Sequence, residues 1–472
     1  MRPNTASAAL TATLVAIAVT GCGGSDKAGG ESKPDATVLT LANGNDDSHS
    51  LEPFAAAVER ISGGSLRIQF KNSWREGEPD FEEGVIRDVA DGRAALGWAG
   101  SRAFDDVGVQ SFDALHAPLL IDNYPLQRRV LENPLATEML AGLEPVGLVG
   151  IGILPGPMRK PLGVAALVRP EDYHGSTIAY QRSEVAERTL RALGARPSEI
   201  PSAGDIRPYD GVEQQIGAIA GNEYDRLATR LAANVNLWPR PVVLFAGREA
   251  WDVLDDRQRN ALHDAARAAL PAASAQEQAD DEGGAAILCR RGAKFLTAGD
   301  ADLVALRRAV QPVYQWLERD TQTKAAIGQI LAMRSQSPSP PDAPVCSAPE
   351  PEPAASTAAT PVDGVYRSDI TLEQLSITPG YDSGENNPSN VGHFRMELHD
   401  GRFRITGSSD GVDQEGNFSL DDGGVLTFHN WNGEADFSYK WNLYRGVLTM
   451  RKTGEGPTIF AVHPWRSSGD AP

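Results

Sequence analysis

Eight prolines fall within residues 335–362, "SQSPSPPDAPVCSAPEPEPAASTAATPV", a stretch with almost no large apolar side chain. Neither a helix interior nor a central strand tolerates proline at that density, because each one removes a backbone donor and fixes φ. The segment reads as an extended, semi-rigid linker. The chain must therefore fold as separate pieces on either side of it. About three hundred residues precede the linker, enough for two lobes, and about one hundred and ten follow it, enough for one small domain.

The N-terminus is set apart by a different pattern. Arg2 is the only charged side chain before Asp26, and Ala6 to Val19 is almost all Ala, Leu, Val, Ile and Thr. This is a positive n-region followed by an apolar h-region too short for a good membrane span. Thr20 and Gly21 then precede Cys22. The pattern resembles a bacterial lipobox, which implies that Cys22 is lipidated and becomes the mature N-terminus. The expected organisation is a lipoprotein signal peptide at 1–21, a flexible tether at 22–36, an α/β body at 37–334, the linker at 335–362 and an all-β domain at 363–468. The body is expected outside the cytoplasmic membrane, held to its outer face by the lipid.

Charge narrows the partners. Loss of residues 1–21 removes one positive charge, Arg2, and takes the formal net charge from −19 to −20. Such a balance argues against nucleic acid as a partner, and against an anionic membrane face. Two cysteines remain after processing, Cys289 and Cys346. Outside the cell a disulfide between them is a candidate pairing; two free thiols are the alternative, and Cα separation decides between them.

The first region alternates helical and strand patterns. Leu51, Phe54, Val58 and Ile61 keep helical spacing before "SGG"; "SLRIQF" alternates as a strand; "FEEGVIRDVADG" is helical again; "RAALGWAG" is strand-like. Asp255 followed three residues later by Gln258 predicts a capped helix that continues through Leu262, Ala265 and Ala269. Leu303, Leu306, Val310, Val313 and Leu317 predict a further helix, kinked at Pro312. Such alternation implies open sheets covered by helices, and two such lobes leave a cleft between them for a ligand. The third region instead reads as hairpins. Phe394, Met396 and Leu398 alternate, Asp400-Gly401 turns, and Phe403 and Ile405 alternate back; a second hairpin follows, and a third turns at Arg445-Gly446. With "TIFAV" as a closing strand, this predicts a small all-β barrel or sandwich. Trp431, Trp441 and Trp465 are read as core, with a binding face as the alternative.

No catalytic motif accompanies this architecture. There is no P-loop, no H-E-x-x-H, no C-x-x-C and no G-x-S-x-G, and the eight histidines show no metal-ligand spacing. "GIGILPG" at Gly150–Gly156 places its third glycine one residue late for a dinucleotide loop, and it reads as a strand leading to a turn. No enzyme, cofactor or metal is expected.

A series of segments then becomes recognisable: "SGGSLRIQF", "IRDVADGRAALGW", "ALHAPLLIDNY", "PEDYHGSTIAY", "LGARPSEIP", "YDGVEQQ" and "VNLWPRPVVLF". Their order and spacing resemble the solute-binding proteins of TRAP (tripartite ATP-independent periplasmic) transporters over roughly residues 37–335, and not over the C-terminal domain. The resemblance implies a two-lobed, periplasmic-binding-protein-like body (type II-like), with a hinge crossed by strands and a long helix. It implies closure around a small organic acid and delivery to a sodium-coupled membrane permease. A buried carboxylate needs a bidentate partner that stays charged, which favours arginine. Arg159, in "GPMRKPLG", matches a ligand-contacting arginine of the family. The family's signature arginine, within K-[LI]-R-[VI], is matched by Ala179 in "GSTIAYQRSE"; Arg182 is a candidate substitute from the next turn. Further candidates for the cleft are Asn43, Trp98, Arg102, Glu213, Gln214, Asn236 and Trp238. The leading expectation is thus a TRAP-type receptor. A sensor or surface interaction lipoprotein of the same fold comes second, and a surface hydrolase third.

Overall fold

The computed structural model describes residues 36–346 and 359–468, apart from 46–47, 76–77, 79, 202–203, 377–390, 408–413, 422, 430–435, 454–457 and 463–464. The expected signal sequence, Cys22, the tether and Trp431 lie outside the described residues.

Two open sheets form the body. The first lobe begins with β1 (Thr37–Ala42), β2 (Leu66–Lys71), β3 (Leu96–Gly100) and β4 (Leu148–Leu154). The chain then crosses to the second lobe for β5 (Met158–Gly163), β6 (Thr177–Tyr180), β7 (Arg196–Glu199), β8 (Gly211–Gln215), β9 (Arg230–Ala232) and β10 (Trp238–Pro239). It returns for β11 (Val242–Gly247) and crosses again before β12 (Lys294–Leu296). The first sheet has the order β2-β1-β3-β11-β4; the second has β12-β9-β5-β8-β6-β7, with β10 also paired to β5. Parallel pairs β1–β2 and β6–β7 sit beside antiparallel pairs β11–β3 and β5–β8, so both sheets are mixed. Ile178 and Ala179 are neighbours on β6 and point to opposite faces. Each belongs to a separate apolar cluster, and the second sheet is thus covered on both sides.

The long helix Asp256–Arg290 ties the lobes together. Asp255 and Gln258 cap it reciprocally, as their spacing predicts. Leu262, Ala265 and Ala269 pack into the first lobe's core, whereas Ala285 and Leu288 pack into the second's. Two expectations need correction. The Leu303–Leu317 stretch is two helices, Asp300–Ala309 and Gln311–Leu317, and Pro312 sits in the first turn of the second, where its missing N–H costs nothing. Ile61 keeps its helical position, as the last residue of the helix Glu52–Ile61, but is exposed.

The proline-rich segment is not wholly a free linker. Past the helix Thr321–Gln336, Asp342 docks against the body. Its N–H donates to Asp122 O (2.9 Å), and its carboxylate accepts from the Tyr124 N–H (2.6 Å) at the start of the helix Tyr124–Glu132. Its carbonyl accepts from Lys160 Nζ (3.1 Å) and Asn236 Nδ2 (2.9 Å). Cys346 is then bonded to Cys289, with Cα atoms 5.5 Å apart, near the end of the long helix. Residues 337–346 are therefore a strap running from a helix whose Ile327 and Ile330 sit in the first lobe's core to an anchor in the second.

Residues 364–467 form a closed antiparallel barrel: β13 (Gly364–Ile370), β14 (Gly392–His399), β15 (Arg402–Gly407), β16 (Gln414–Leu420), β17 (Val425–His429), β18 (Phe437–Tyr444), β19 (Val447–Lys452) and β20 (Trp465–Ser467). Both expected turns carry positive φ at both central residues: +48° and +74° at Asp400-Gly401, +50° and +74° at Arg445-Gly446. That is the backbone of a tight two-residue hairpin turn. "TIFAV" is not the closing strand. Ile459–Val462 is a short helical turn, and β20 closes the barrel instead. Phe460 explains the difference: it is buried against Phe428, Tyr439 and Trp465, with ring centroids 5.8–6.0 Å apart. Trp465 is wholly buried and Trp441 packs at the edge of the same core, so both serve the interior rather than a binding face.

Candidate functional site

At the hinge, β5 lies beside β8, with Pro161 opposite Glu213 and Arg159 opposite Gln215. Arg159 and Glu213 therefore project from the same face one step apart. Arg159 is 1% exposed. Its Nε donates to Glu213 Oε2 (2.6 Å) and its Nη2 to Glu213 Oε1 and O (3.0 Å each). Its Nη1 donates to Gln181 Oε1 (2.9 Å) and Gln215 Oε1 (3.3 Å). A guanidinium has five N–H donors; all five are used inside the protein. On β6, Ala179 packs among Ile206, Val212 and Ile216.

The cleft itself is organised by the first turn of the helix Phe81–Ala90. Glu82 is buried, and its carboxylate accepts from the Gly100 N–H (2.8 Å), from Arg240 Nη2 (2.8 Å) and from Arg102. Burial alone would raise its pKa. The charges of Arg102 and Arg240 outweigh burial and hold the carboxyl at about 2. Gly100 is required here, since a Cβ at that position would stand 2.8 Å from Glu82 Oε1. Arg102 also donates to Arg182 O (3.0 Å), a bond from one lobe to the other. Beneath this layer Ser101 Oγ lies 2.7 Å from His116 Nε2. Burial, together with the charges of Arg102 and Arg159, pushes His116 down to about 3 and keeps it neutral.

Between the lobes remains a cavity of about 90 Å³. Phe81, Glu82, Glu83 and Arg102 form one wall, and Gln181, Arg182, Glu199, Ile200 and Pro201 form the other. Arg182 is half-exposed; its Nε donates to Glu199 Oε1 (2.8 Å) and lies 3.8 Å from Asp106 of the first lobe.

The sequence-predicted residues separate into three groups. Arg102 and Arg182 line the cavity, and Trp98 borders a smaller space behind it, with its Nε1 donating to Asn43 Oδ1 (2.5 Å). Arg159 and Glu213 are satisfied by each other. Asn43, Gln214, Asn236 and Trp238 are buried away from the cavity: Asn236 bonds Lys160 and Asp122 O at the strap, and Trp238 pairs in register with Arg159 on β10. Sequence reasoning missed Glu82, Glu83, Gln181, Glu199 and Arg240. The adjacent acids at the start of a helix in "DFEEG" were the available signal, because one face of that turn must look across the cleft. The barrel surface also carries a hydrogen-bonded chain, Ser419 Oγ–His429 Nε2 and His429 Nδ1–Asp436 Oδ2, each 2.7 Å. Among the described residues it borders neither of these two cavities.

Comparison with known proteins places this geometry. A solute-binding protein of Verminephrobacter eiseniae is 23% identical over 299 residues, 62% of this chain and 87% of that protein. The C4-dicarboxylate-binding periplasmic protein DctP of Rhodobacter capsulatus is 28% identical over 115 residues, 23% of this chain and only about a third (34%) of that protein. Among solved structures, a TRAP periplasmic solute-binding protein of Xanthobacter autotrophicus with bound β-D-galacturonate superposes with a TM-score of 0.55 at 20% identity, over 62% of this chain and 99% of that one. The sugar-acid-binding protein of Advenella mimigardefordensis with galactonate gives 0.56 at 18% identity, over 64% and 99%. At such identities these structures establish the two-lobed fold alone. The family model for DctP, bacterial extracellular solute-binding protein family 7, matches residues 40–320, and the chain belongs to that family of TRAP solute-binding proteins.

Proposed function

We propose that this chain is a lipid-anchored extracytoplasmic receptor that captures a small organic acid between its lobes and delivers it to a TRAP-type membrane permease. The observation that carries the reading is the interlobe cavity, to which each lobe contributes a guanidinium, Arg102 and Arg182. Closure removes water from such a site and strengthens the pairing of a carboxylate with Arg182, while Arg102, held by Glu82, adds positive charge on the facing wall. The acids bound by relatives, galacturonate and galactonate among them, support this class of ligand. No helix among the described residues is long and apolar enough to cross a membrane. Anchoring is read from Cys22 in its lipobox-like sequence, and Cys22→Ser should move the chain from the membrane to the soluble fraction. The direct test of binding is a thermal-shift screen of the full chain carrying Cys22→Ser with galacturonate, galactonate and succinate. An acid at one hundred times its Kd should raise Tm by roughly 3–4 °C; no rise with any acid would defeat the reading.

The second reading, a sensor or interaction lipoprotein on the same fold, draws on Ala179 in its apolar cluster and on the appended barrel. Unchanged cellular uptake of a bound acid after deletion of this chain would favour it.

A further inference from the structure

We propose that Glu83 selects the ligand: the cavity takes a small organic acid that also carries an ammonium group, an amino acid, in preference to a plain acid or a diacid. This inference rests on the receptor reading above and narrows its ligand class.

The cavity presents two free ends. Glu83 is 4% exposed and lines the cavity, yet among the described residues no other residue donates a hydrogen bond to its carboxyl, which meets its own backbone N–H. A buried carboxylate without a partner is costly, and native proteins keep few of them. Across the cavity, Arg182 commits only its Nε to acceptors among the described residues, leaving both terminal nitrogens for a ligand. Glu83 and Arg182 are close enough to feel each other's charge without touching. The remaining lining charges are already paired, Glu82 with Arg102 and Arg240, and Glu199 with Arg182. An ammonium at Glu83 and a carboxylate at the fork of Arg182 would complete both ends. Phe81, Ile200 and Pro201 would cover the carbon skeleton between them.

Charge and size exclude the alternatives. A second ligand carboxylate at the Glu83 end would face Glu82 and Glu83, where Arg102, the lining cation of that wall among the described residues, is already paired with Glu82, whereas an ammonium is attracted. The volume of about 90 Å³ is well below the ~300–1,000 Å³ of sites for drug-sized ligands, so a short skeleton fits best. The groups facing Glu83 are Glu82 on its own helix, Arg102 and Asp106 on the segment after β3, and Arg182 and Glu199 on the second lobe. Burial raises the Glu83 carboxyl to about 7. An arriving ammonium favours the ionised form, so binding at pH 7 should release about half a proton per site.

The test uses matched skeletons on the full chain carrying Cys22→Ser: β-alanine, alanine and 4-aminobutyrate against propionate, butyrate and succinate, by thermal shift and calorimetry. The expected result is binding of an amino acid at least tenfold tighter than its deaminated counterpart, with proton release seen as a buffer-dependent enthalpy. Glu83→Gln should abolish the preference and the proton release while leaving Tm equal or higher, because it removes an unpaired buried acid. Arg182→Gln should weaken amino and plain acids alike. If plain acids or sugar acids bind and amino acids do not, this inference falls while the receptor reading stands. If neither class binds the folded chain, both fall. A preference that survives Glu83→Gln removes Glu83 from the role.

Discussion

Arg159 shows why a residue's type and strand position do not settle its task. The strand pattern places it on β5, and its chemistry suits a carboxylate clamp, but the carboxylate it clamps is Glu213, on the neighbouring strand. The pair is buried on both sides, so breaking it leaves an uncompensated charge in the interior. Glu213→Gln should therefore cost about 3–5 kcal/mol of unfolding free energy. Arg159→Lys should also be destabilising, because an ammonium cannot serve five acceptors in a planar fork. Urea titration of each variant checks both. Gly100 makes the same point for a residue with no side chain: Gly100→Ala should drive Glu82 from its three donors and lower stability by about 1–3 kcal/mol.

At the scale of elements, the parts that obey local rules were legible. The two hairpin turns follow from Asp-Gly and Arg-Gly between alternating apolar residues, and Phe394, Met396, Leu398, Phe403 and Ile405 all point inward as that period requires. "TIFAV" misled because a short apolar run looks the same as a strand or as a buried turn. Phe460 filling the barrel end decided for the turn. The strap was illegible for a different reason. Proline density reports an extended backbone, and an extended backbone docks as readily as it dangles. What it docks to, Tyr124, Lys160 and Asn236, lies more than one hundred residues away in sequence. The disulfide joins cysteines 57 residues apart, and on the chain-entropy model its loss should cost about 4 kcal/mol. Cys346→Ser should lower the urea midpoint accordingly and speed hydrogen exchange at the Tyr124 amide, which the strap otherwise covers.

For the whole molecule, the balance of buried acids sets the response to pH. Burial raises Glu83 to about 7, Glu277 to about 8 and Asp281 to about 6, and burial also raises Asp105 and Asp113, which share a hydrogen bond. In each case the folded state binds a proton more tightly than the unfolded chain does, so stability falls as pH rises through these values. Glu82 and Asp88, both held at about 2, act in the opposite sense and lose their contribution below pH 4.5. His116, pushed down to about 3, opposes acidification from its unfolded pKa near 6.5. The urea midpoint should accordingly be higher at pH 6 than at pH 8, and should fall again below pH 4.5. A midpoint that rose steadily from pH 6 to 8 would contradict this balance.

The alternation of helix and strand in the body and the hairpins beyond the proline-rich stretch could both be read from the sequence. Each depends on side-chain periodicity, proline placement or turn chemistry within a dozen residues. The site was decided by packing. Arg102 and Arg240 meet at Glu82 although 138 residues separate them in sequence. Which guanidinium is consumed by an internal carboxylate, and which acid is left facing the cavity alone, depends on burial and on distances of about 3 Å across the hinge. Folding sets those quantities, because desolvation makes a charge costly only once neighbouring elements have excluded water from it.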